Sequence, residues 1–335
     1  MAKLPTLAVV IPAFNAEAFL ARAVDSVFAT DYPGIEVVIV EDGSTDATRV
    51  VAERLCREHP EQCRVLQHGD RRNHGVSSSR NLGIAASQSE WVALLDADDF
   101  YLPIRFAAFR RLLDSGQAFD AVYESCEIRG DGKDGAKSPN GNAESGGSFG
   151  IEESLTGPAL LAALLMGRCW ATSAITIRRN LLERAGFFDS GKRIAEDCDL
   201  WFRIAAVGRV VAGNLESPVS VYWRHENNTY HYELAHRIAM VEAMLDAWQW
   251  SERQNVAMES KNAFRTAVPT YALRSIISAR SASEPGVAWR LLLAMARRGH
   301  LRFLTRLDTL RQILGLVRSR RIGTRKSMKA RARHS

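Results

Sequence analysis

The sequence predicts an α/β fold: a mostly parallel sheet flanked by helices, followed by an all-α C-terminal extension. Three observations predict it. The first hundred residues alternate short apolar runs with amphipathic segments, the βαβα order that sets strands side by side with helices on both faces. The run Trp91–Leu95 carries no charge, as a strand buried on both faces requires, and it stops abruptly at Asp96-Ala97-Asp98-Asp99. Beyond about Tyr232 only helical patterning remains.

The elements follow in chain order. Leu7–Ile11 reads as the first strand, closed by Pro12. Asn15 is placed to cap a helix whose Phe19, Leu20, Ala23, Val24, Val27 and Phe28 share one face. Glu36–Val40 is the second strand, and Ser44 or Thr45 caps a helix running to about Glu58. Arg64–Gln67 is a short strand, His68–Gly75 a polar, basic loop, and Val76–Ser87 a helix before the Trp91 strand. Pro103 marks a helix start, continued through Arg105–Ser115, and Phe119–Tyr123 is another strand. Residues 129–150, rich in Gly, Ser, Asn, Asp and Lys, read as a long surface loop, the kind of segment that also serves as an active-site lid. Gly157–Met166 is an apolar helix, Thr172–Ile177 a strand, Arg179–Ala185 a helix ended by Gly186, and Glu196–Val207 an amphipathic helix. Val219–Trp223 closes the α/β part, and the helices after it break near Pro269 and at Pro285-Gly286.

This gives residues 1–230 as one α/β domain, with a first half over 1–100 and a second over 101–230. Residues 231–318 form a helical extension and 319–335 a basic, flexible tail. Composition narrows the setting. Hydrophobic content of 46% and charged content of 24% are those of a globular protein. The longest apolar run, Ala159–Met166, is far short of the roughly 18 residues a membrane span needs. The apolar run before Pro12 is too short for a signal peptide. Five cysteines (56, 63, 126, 169 and 198) lack metal-site spacing and read as reduced thiols of a cytoplasmic protein. Residues 261–335 carry 18 Lys/Arg against Glu284 and Asp308, a net +16 that leaves residues 1–260 at −10. An acidic body with a basic end bears on partners rather than on fold.

A parallel strand delivers its C-terminal residues into the ligand crevice of an open α/β sheet. Three carboxylates there repel one another unless a cation joins them, and Mg²⁺ or Mn²⁺ held by one or two carboxylates completes its shell with water and substrate phosphates. Asp96 and Asp98 therefore propose a metal-diphosphate site, with a solvated acidic turn as the plain alternative. No Gly-x-Gly-x-x-Gly follows the first strand, so a dinucleotide-binding Rossmann domain lacks its phosphate loop.

The strand ends form an ordered set. They are Ile11-Pro12-Ala13-Phe14-Asn15-Ala16-Glu17; Val40-Glu41-Asp42-Gly43-Ser44-Thr45-Asp46; Gly75-Val76-Ser77-Ser78-Ser79-Arg80-Asn81-Leu82-Gly83; and Leu95-Asp96-Ala97-Asp98-Asp99. Gly186-Phe187-Phe188-Asp189, Ala195-Glu196-Asp197-Cys198-Asp199-Leu200-Trp201-Phe202-Arg203 and Tyr222-Trp223-Arg224-His225-Glu226-Asn227-Asn228-Thr229 follow. In this order and spacing the chain resembles the family-2 glycosyltransferases of GT-A fold, over about residues 6–230. The resemblance implies sugar transfer from a nucleotide sugar to an acceptor hydroxyl, saccharide or lipid-linked, with inversion, in polysaccharide biosynthesis for the cell envelope. It implies that Pro12, Asn15 and Glu17 surround the nucleoside and that Asp42 bonds the base, often uracil, so that a UDP-sugar is the expected donor. Arg80 falls beneath the diphosphate, Asp96 at the ribose or metal, Asp98 on the metal, His225 over the diphosphate and metal, and Asp197 at the catalytic base. Glu41 stands where the family commonly has Asp, and the surroundings of His225 are looser than the family pattern.

Elementary chemistry asks for the same parts. Inverting displacement needs a base on the face opposite the leaving group. A diphosphate leaving group needs its developing charge neutralised by a divalent metal and Arg. Carboxylates at a helix start, Glu196 and Asp197, are also stabilised by capping and the helix dipole, which leaves a structural reading of Asp197 open. Glu196 and Trp201 are candidates for the acceptor side; Trp201 also fits the core, and Asp199 fits a surface position. Near the C-terminus Phe303, Leu307, Leu310, Leu314 and Val317 form an apolar stripe edged by Arg302, Arg306, Arg311, Arg318, Arg320 and Arg321. That stripe suits packing on the catalytic domain, a short coiled coil, or the anionic inner face of a membrane. Nucleic acid is not expected, because aromatic residues for base stacking are missing. The rival activities are a sugar nucleotidyltransferase, with a similar carboxylate-metal arrangement, and a non-catalytic nucleotide- or carbohydrate-binding scaffold.

Overall fold

The strands are continuous apolar runs because both of their faces are covered. The structure, a computed structural model, describes residues 4–130, 148–226, 233–281 and 284–299. Its main sheet holds β1 (Leu7–Ala13), β2 (Ile35–Glu41), β3 (Cys63–Gln67), β4 (Trp91–Leu94), β6 (Ala121–Tyr123), β9 (Ile175–Arg178) and β10 (Val210–Ala212), in the order β10-β6-β9-β4-β1-β2-β3. All neighbours are parallel except β9, which runs antiparallel between β4 and β6. Side chains alternate between two cores. Val9, Ile11, Val37 and Ile39 face one core, filled from α1 (Leu20–Phe28), α2 (Thr48–Glu58) and α4 (Ala107–Asp114). Val10, Val38, Val40 and Val92 face the other, with α3 (Val76–Ala86), α5 (Gly157–Leu165), α6 (Arg179–Ala185) and α7 (Glu196–Val207).

A second sheet, β5 (Phe100–Tyr101), β11 (Ser220–Arg224), β7 (Cys126–Gly130) and β8 (Ser148–Phe149), was not foreseen as such. Strands this short give too few residues for a period to emerge. β7 and β8 claim both ends of the loop expected over 129–150; residues 131–147, the body of the expected lid, lie outside the described residues.

Several expected boundaries move. Pro12 does not close β1, which continues to Ala13. Its missing N–H costs nothing there, because β4 has ended at Leu94, opposite Val10, and leaves β1 without a neighbour on that side. Asn15 does not cap α1, which starts at Leu20 without a side-chain cap. The cap of α2 is neither Ser44 nor Thr45 but Ala47, which has no side-chain acceptor; Asp46, one residue earlier, accepts the Thr48 N–H on Oδ1 at 2.9 Å. The helix expected at Pro103 begins at Ala107, and Thr172–Ala174 is a 3-10 turn leading into β9.

The extension contains α8 (Glu233–Arg253), α9 (Met258–Ser281) and α10 (Pro285–Arg297). Pro269 lies inside α9 rather than breaking it, since Phe264, Val268, Ala272 and Ile276 bury one face across it. Pro285 and Gly286 open α10, where a proline N–H is not needed. Trp248 and Met244 of α8 enter the same core as Leu161 of α5 and Leu200 of α7, so the extension is packed onto the second half of the α/β domain. Among the described residues no helix is long and apolar enough to cross a membrane. All five cysteines are free, yet four stand in pairs, Cys56 with Cys63 (Sγ–Sγ 3.1 Å) and Cys169 with Cys198 (3.5 Å). The basic stripe over 303–317 and the tail over 319–335 lie outside the described residues.

Candidate active site

Parallel pairing of β1, β2 and β4 brings three strand ends to one sheet edge. Ala13 lies opposite Glu41, and Leu94 opposite Val10. The turn after β1 is then knitted to the turn after β2. Asn15, held at φ +49°, donates its N–H to Ser44 Oγ (3.1 Å) and accepts the Thr45 N–H on Oδ1 (2.9 Å). Glu17 Oε2 accepts the Ala47 N–H at 2.7 Å. These side chains support this end of the edge through the backbone they hold. Glu41 is buried; burial opposes its ionisation, but hydrogen bonds from Ser44 and Gln67 prevail and hold its carboxyl below the usual range.

Asp42 is turned inward. Its Oδ1 accepts the His74 N–H (2.8 Å) and its Oδ2 the Gly75 N–H (2.9 Å), with the side chain only 4% exposed. Both carboxylate oxygens thus clasp the loop that starts α3. Gly75 there has φ +88°, a left-handed conformation that glycine adopts without a Cβ penalty. Gly83 lets α3 lie close on the sheet: a Cβ would come within 2.4 Å of Val10 Cγ1.

Arg80 projects from α3 into the middle of the site. The guanidinium donates from Nη2 to Asp96 Oδ1 (2.6 Å) and from Nη1 to Glu196 Oε1 (3.1 Å), and lies over the Phe188 ring. Its side chain is 3% exposed. Burial works against its charge, but Asp96 and Glu196 outweigh it and raise its pKa. Arg80 is thus a strut between two carboxylates and not a solvated helix arginine. Next to it, Asn81 accepts the Phe188 N–H and donates to the Phe188 carbonyl, which fixes the Gly186–Asp189 turn.

Beyond Asp96 the chain turns so that Asp98 meets His225. His225 Nε2 stands 3.0 Å from Asp98 Oδ2. The imidazole stacks on Phe19 with centroids 4.6 Å apart. Arg22 donates to the Asp98 carbonyl (2.9 Å) and lies over the Phe100 and Trp223 rings. Asp99 points the other way, fully buried, accepting the Trp223 N–H and the Ser173 hydroxyl; burial, then Asp98 and Asp96, push its pKa well up. It anchors β11, whose continuation carries His225. Asn227–Thr229 of that motif lie outside the described residues.

Among the described residues no three His, Cys, Asp or Glu side chains converge as a complete metal site. Asp98 with His225 is a partial donor set, one carboxylate and one imidazole. That fits an ion such as Mn²⁺ that takes its remaining ligands from a diphosphate and water.

Helix α7 supplies the far wall. Ala195 precedes it at φ +57°, so Glu196 and Asp197 fall in the first turn. Glu196 is pushed up to about 7 by burial and by Asp197, with Arg80 opposing. Asp197 is half-buried and makes one hydrogen bond among the described residues, accepting its neighbour Cys198 N–H at 2.7 Å. Its carboxylate is the one on this helix left available to another molecule. One expectation fails here, and of the two readings of Trp201 the core one holds. Asp199 is not a surface residue: it is buried against Arg203 (2.7 Å), which also donates to the Ala185 and Phe187 carbonyls. Trp201 has 0% exposure, packs on Trp170 and Phe188, and presents no face to an acceptor.

Two contributions came from outside the motifs. Lys192, ahead of α7, pairs with Asp246 of α8 at 2.6 Å, and Asp246 pairs with Arg298. His236 of α8 is pushed below its usual value by burial, with Asp197 opposing, which places the imidazole in reach of that carboxylate's field. No local pattern around His236 signals this; only the docking of α8 on α7 does.

Residues 8–149 match the family model described as Glycosyl transferase family 2. An uncharacterized glycosyltransferase of Nostoc sp. is 29% identical over 234 residues, 67% of this chain; the matched stretch spans 66% of that relative, under two thirds of its length. Staphylococcus aureus TarS 1–349 in complex with UDP-GlcNAc superposes with a TM-score of 0.56 at 16% identity, covering 88% of this chain and 92% of that one. A mannosyltransferase from Pyrobaculum calidifontis in complex with GDP-Man and Mn²⁺ gives 0.54 at 19% identity, covering 89% and 88%. The fold is that of the GT-A glycosyltransferases.

Proposed function

The chain belongs to glycosyltransferase family 2, and on that premise we propose that it is an inverting transferase, moving a sugar from a nucleotide sugar to an acceptor hydroxyl. The observation that carries the reading is the Arg80 strut. One buried guanidinium bridges Asp96, at the end of β4, to Glu196, at the start of α7, so donor-side and acceptor-side carboxylates stand within one side chain of each other.

The donor diphosphate would lie along Asp96–Asp98, with Asp96 oriented by Arg80 toward the ribose. Asp98 and His225 would hold a Mn²⁺ or Mg²⁺, a reading supported by the Mn²⁺ in the Pyrobaculum enzyme. Bound there, the metal neutralises charge developing on the diphosphate leaving group. Asp197 takes the proton of the acceptor hydroxyl. The acceptor oxygen bonds to the anomeric carbon as the carbon–phosphate-oxygen bond breaks, and the nucleoside diphosphate leaves with that electron pair. Glu196, engaged by Arg80, positions the first turn of α7. A UDP-sugar is the donor we favour, in line with the UDP-GlcNAc bound by TarS, and a saccharide or lipid-linked hydroxyl the acceptor.

The test is product analysis with UDP- and GDP-sugars and Mn²⁺. Release of a nucleoside diphosphate, faster with an acceptor saccharide present, is the expected result. Release of pyrophosphate from a nucleoside triphosphate and sugar phosphate would instead mark a nucleotidyltransferase. Donor binding without any turnover would mark a scaffold.

A further inference from the structure

Helix α10 is apolar on two sides. Val287, Ala288, Leu291, Ala294 and Met295 are buried against α8 and α9. On the outer side Trp289 is 66% exposed and Leu293, one turn on, is 50% exposed. Residues four apart on a helix are neighbours, so the two form one patch. Arg290 and Arg297 are exposed beside it. A helix that has already buried one apolar stripe ordinarily shows water a polar face, and an exposed apolar patch rimmed by charge marks a contact surface. α10 ends at Arg297, and residues 300–335 beyond it carry 11 Lys/Arg against the single carboxylate Asp308.

Charge decides what covers the patch. The chain's own next segment would bring Arg302, Arg306 and Arg311 against Arg290 and Arg297, and a second copy would set the same basic rim against itself. An anionic lipid surface meets every one of these arginines with opposite charge. It also suits the apolar pair: an indole sits well at the headgroup level, and a leucine beside it enters the acyl boundary. We propose that the Trp289–Leu293 face of α10 docks this protein on an anionic bilayer, with the helix lying in the interface. The anchor then belongs to a helix packed on the catalytic core, not only to the basic residues that follow it. This inference does not depend on the activity proposed above.

The test uses the full chain and sedimentation with vesicles of phosphatidylcholine alone or mixed with phosphatidylglycerol in equal parts. Wild type should sediment with the mixed vesicles, not with phosphatidylcholine alone, and lose binding as salt is raised. Trp289→Ser with Leu293→Ser removes only exposed side chains, so the melting temperature should hold while vesicle affinity falls by at least about tenfold. Arg290→Glu with Arg297→Glu should weaken binding to mixed vesicles through charge alone. Undiminished binding by the Trp289/Leu293 variant would overturn the proposal and place the contact on residues after 299. So would absence of wild-type binding, equal binding to both vesicle types, or a concentration-dependent dimer that the same variant abolishes.

Discussion

Asp197→Asn separates the proposed chemistry from the scaffold around it. The carboxylate is half-buried in the first turn of α7, and its hydrogen bond from the Cys198 N–H, at 2.7 Å, is one that an amide oxygen also accepts. The structural loss is then mainly that of a negative charge at a helix N-terminus, about 0.3–1 kcal/mol. Removing a general base costs roughly 10²–10⁴ in rate, equivalent to about 3–5 kcal/mol of transition-state stabilisation. The rate effect exceeds the stability effect several-fold, so a variant melting within a few degrees of wild type should be nearly inactive. Donor affinity with Mn²⁺ should persist, because Asp98 and His225 pair with each other and not with Asp197. The assay is nucleoside diphosphate release with and without acceptor, read as a fall in kcat with donor KM little changed. Glu196→Gln should be milder, since an amide still accepts from Arg80. Near-wild-type turnover by Asp197→Asn, alongside an inactive Glu196→Gln, would refute the reasoning and move the base one residue. Asp199→Asn is no control for this comparison, because it breaks the clamp with Arg203.

Asp98→Asn should abolish Mn²⁺-dependent donor binding by calorimetry while leaving the melting temperature close to wild type, and normal metal-dependent affinity would remove Asp98 from the metal. Glu196 titrates at about 7 when folded against 4.5 ordinarily, so its contribution is fully present below about 4.5 and is lost as pH rises through about 7. Glu196→Gln should therefore gain on wild type in urea stability between pH 5 and pH 8, on the order of 2–3 kcal/mol if the shift is realised in full; a pH-independent difference would contradict it. Arg105 pairs with Glu124 at 2.7 Å with both side chains 0% exposed, and Arg105→Met should cost about 3–5 kcal/mol by stranding that carboxylate, a loss largely recovered by adding Glu124→Leu. Failure of the second substitution to recover stability in denaturant melts would show that the hydrogen bonds Arg105 gives the Ser173 and Ile175 carbonyls, with its packing, outweigh its pairing with Glu124.

What could be read without coordinates rests on short-range physics. Uncharged runs such as Trp91–Leu95 are legible because a strand covered on both faces has no position for a polar side chain. The first-turn placement of Glu196 and Asp197 and the span of α6 also come from local pattern, as does the sharing of one edge by Asn15, Asp42 and Asp98 once the strands are parallel. Choice of partner is different, because it depends on which helix approaches how closely. Asp42 holds the His74 and Gly75 N–H groups because the β3–α3 loop folds over it, a pairing that no local pattern announces. Arg80 reaches Glu196, 116 residues away, only because Gly83 lets α3 sit close on β1 and β2 and because Asn81 and Arg203 pin the turn before α7. Asp199 lies on an amphipathic helix that packs against α8, so the pattern misplaced it, whereas Trp201 takes the core position that its place on the apolar face allows. His236 and the Lys192–Asp246–Arg298 chain enter for the same reason. Local pattern was enough for strands β1 to β4, their common edge and the residue types gathered there, but not for the short strands of the second sheet; packing settled which of those carboxylates are engaged as struts and which, Asp197 above all, remain available, because burial and pairing between distant elements are not properties of any local pattern.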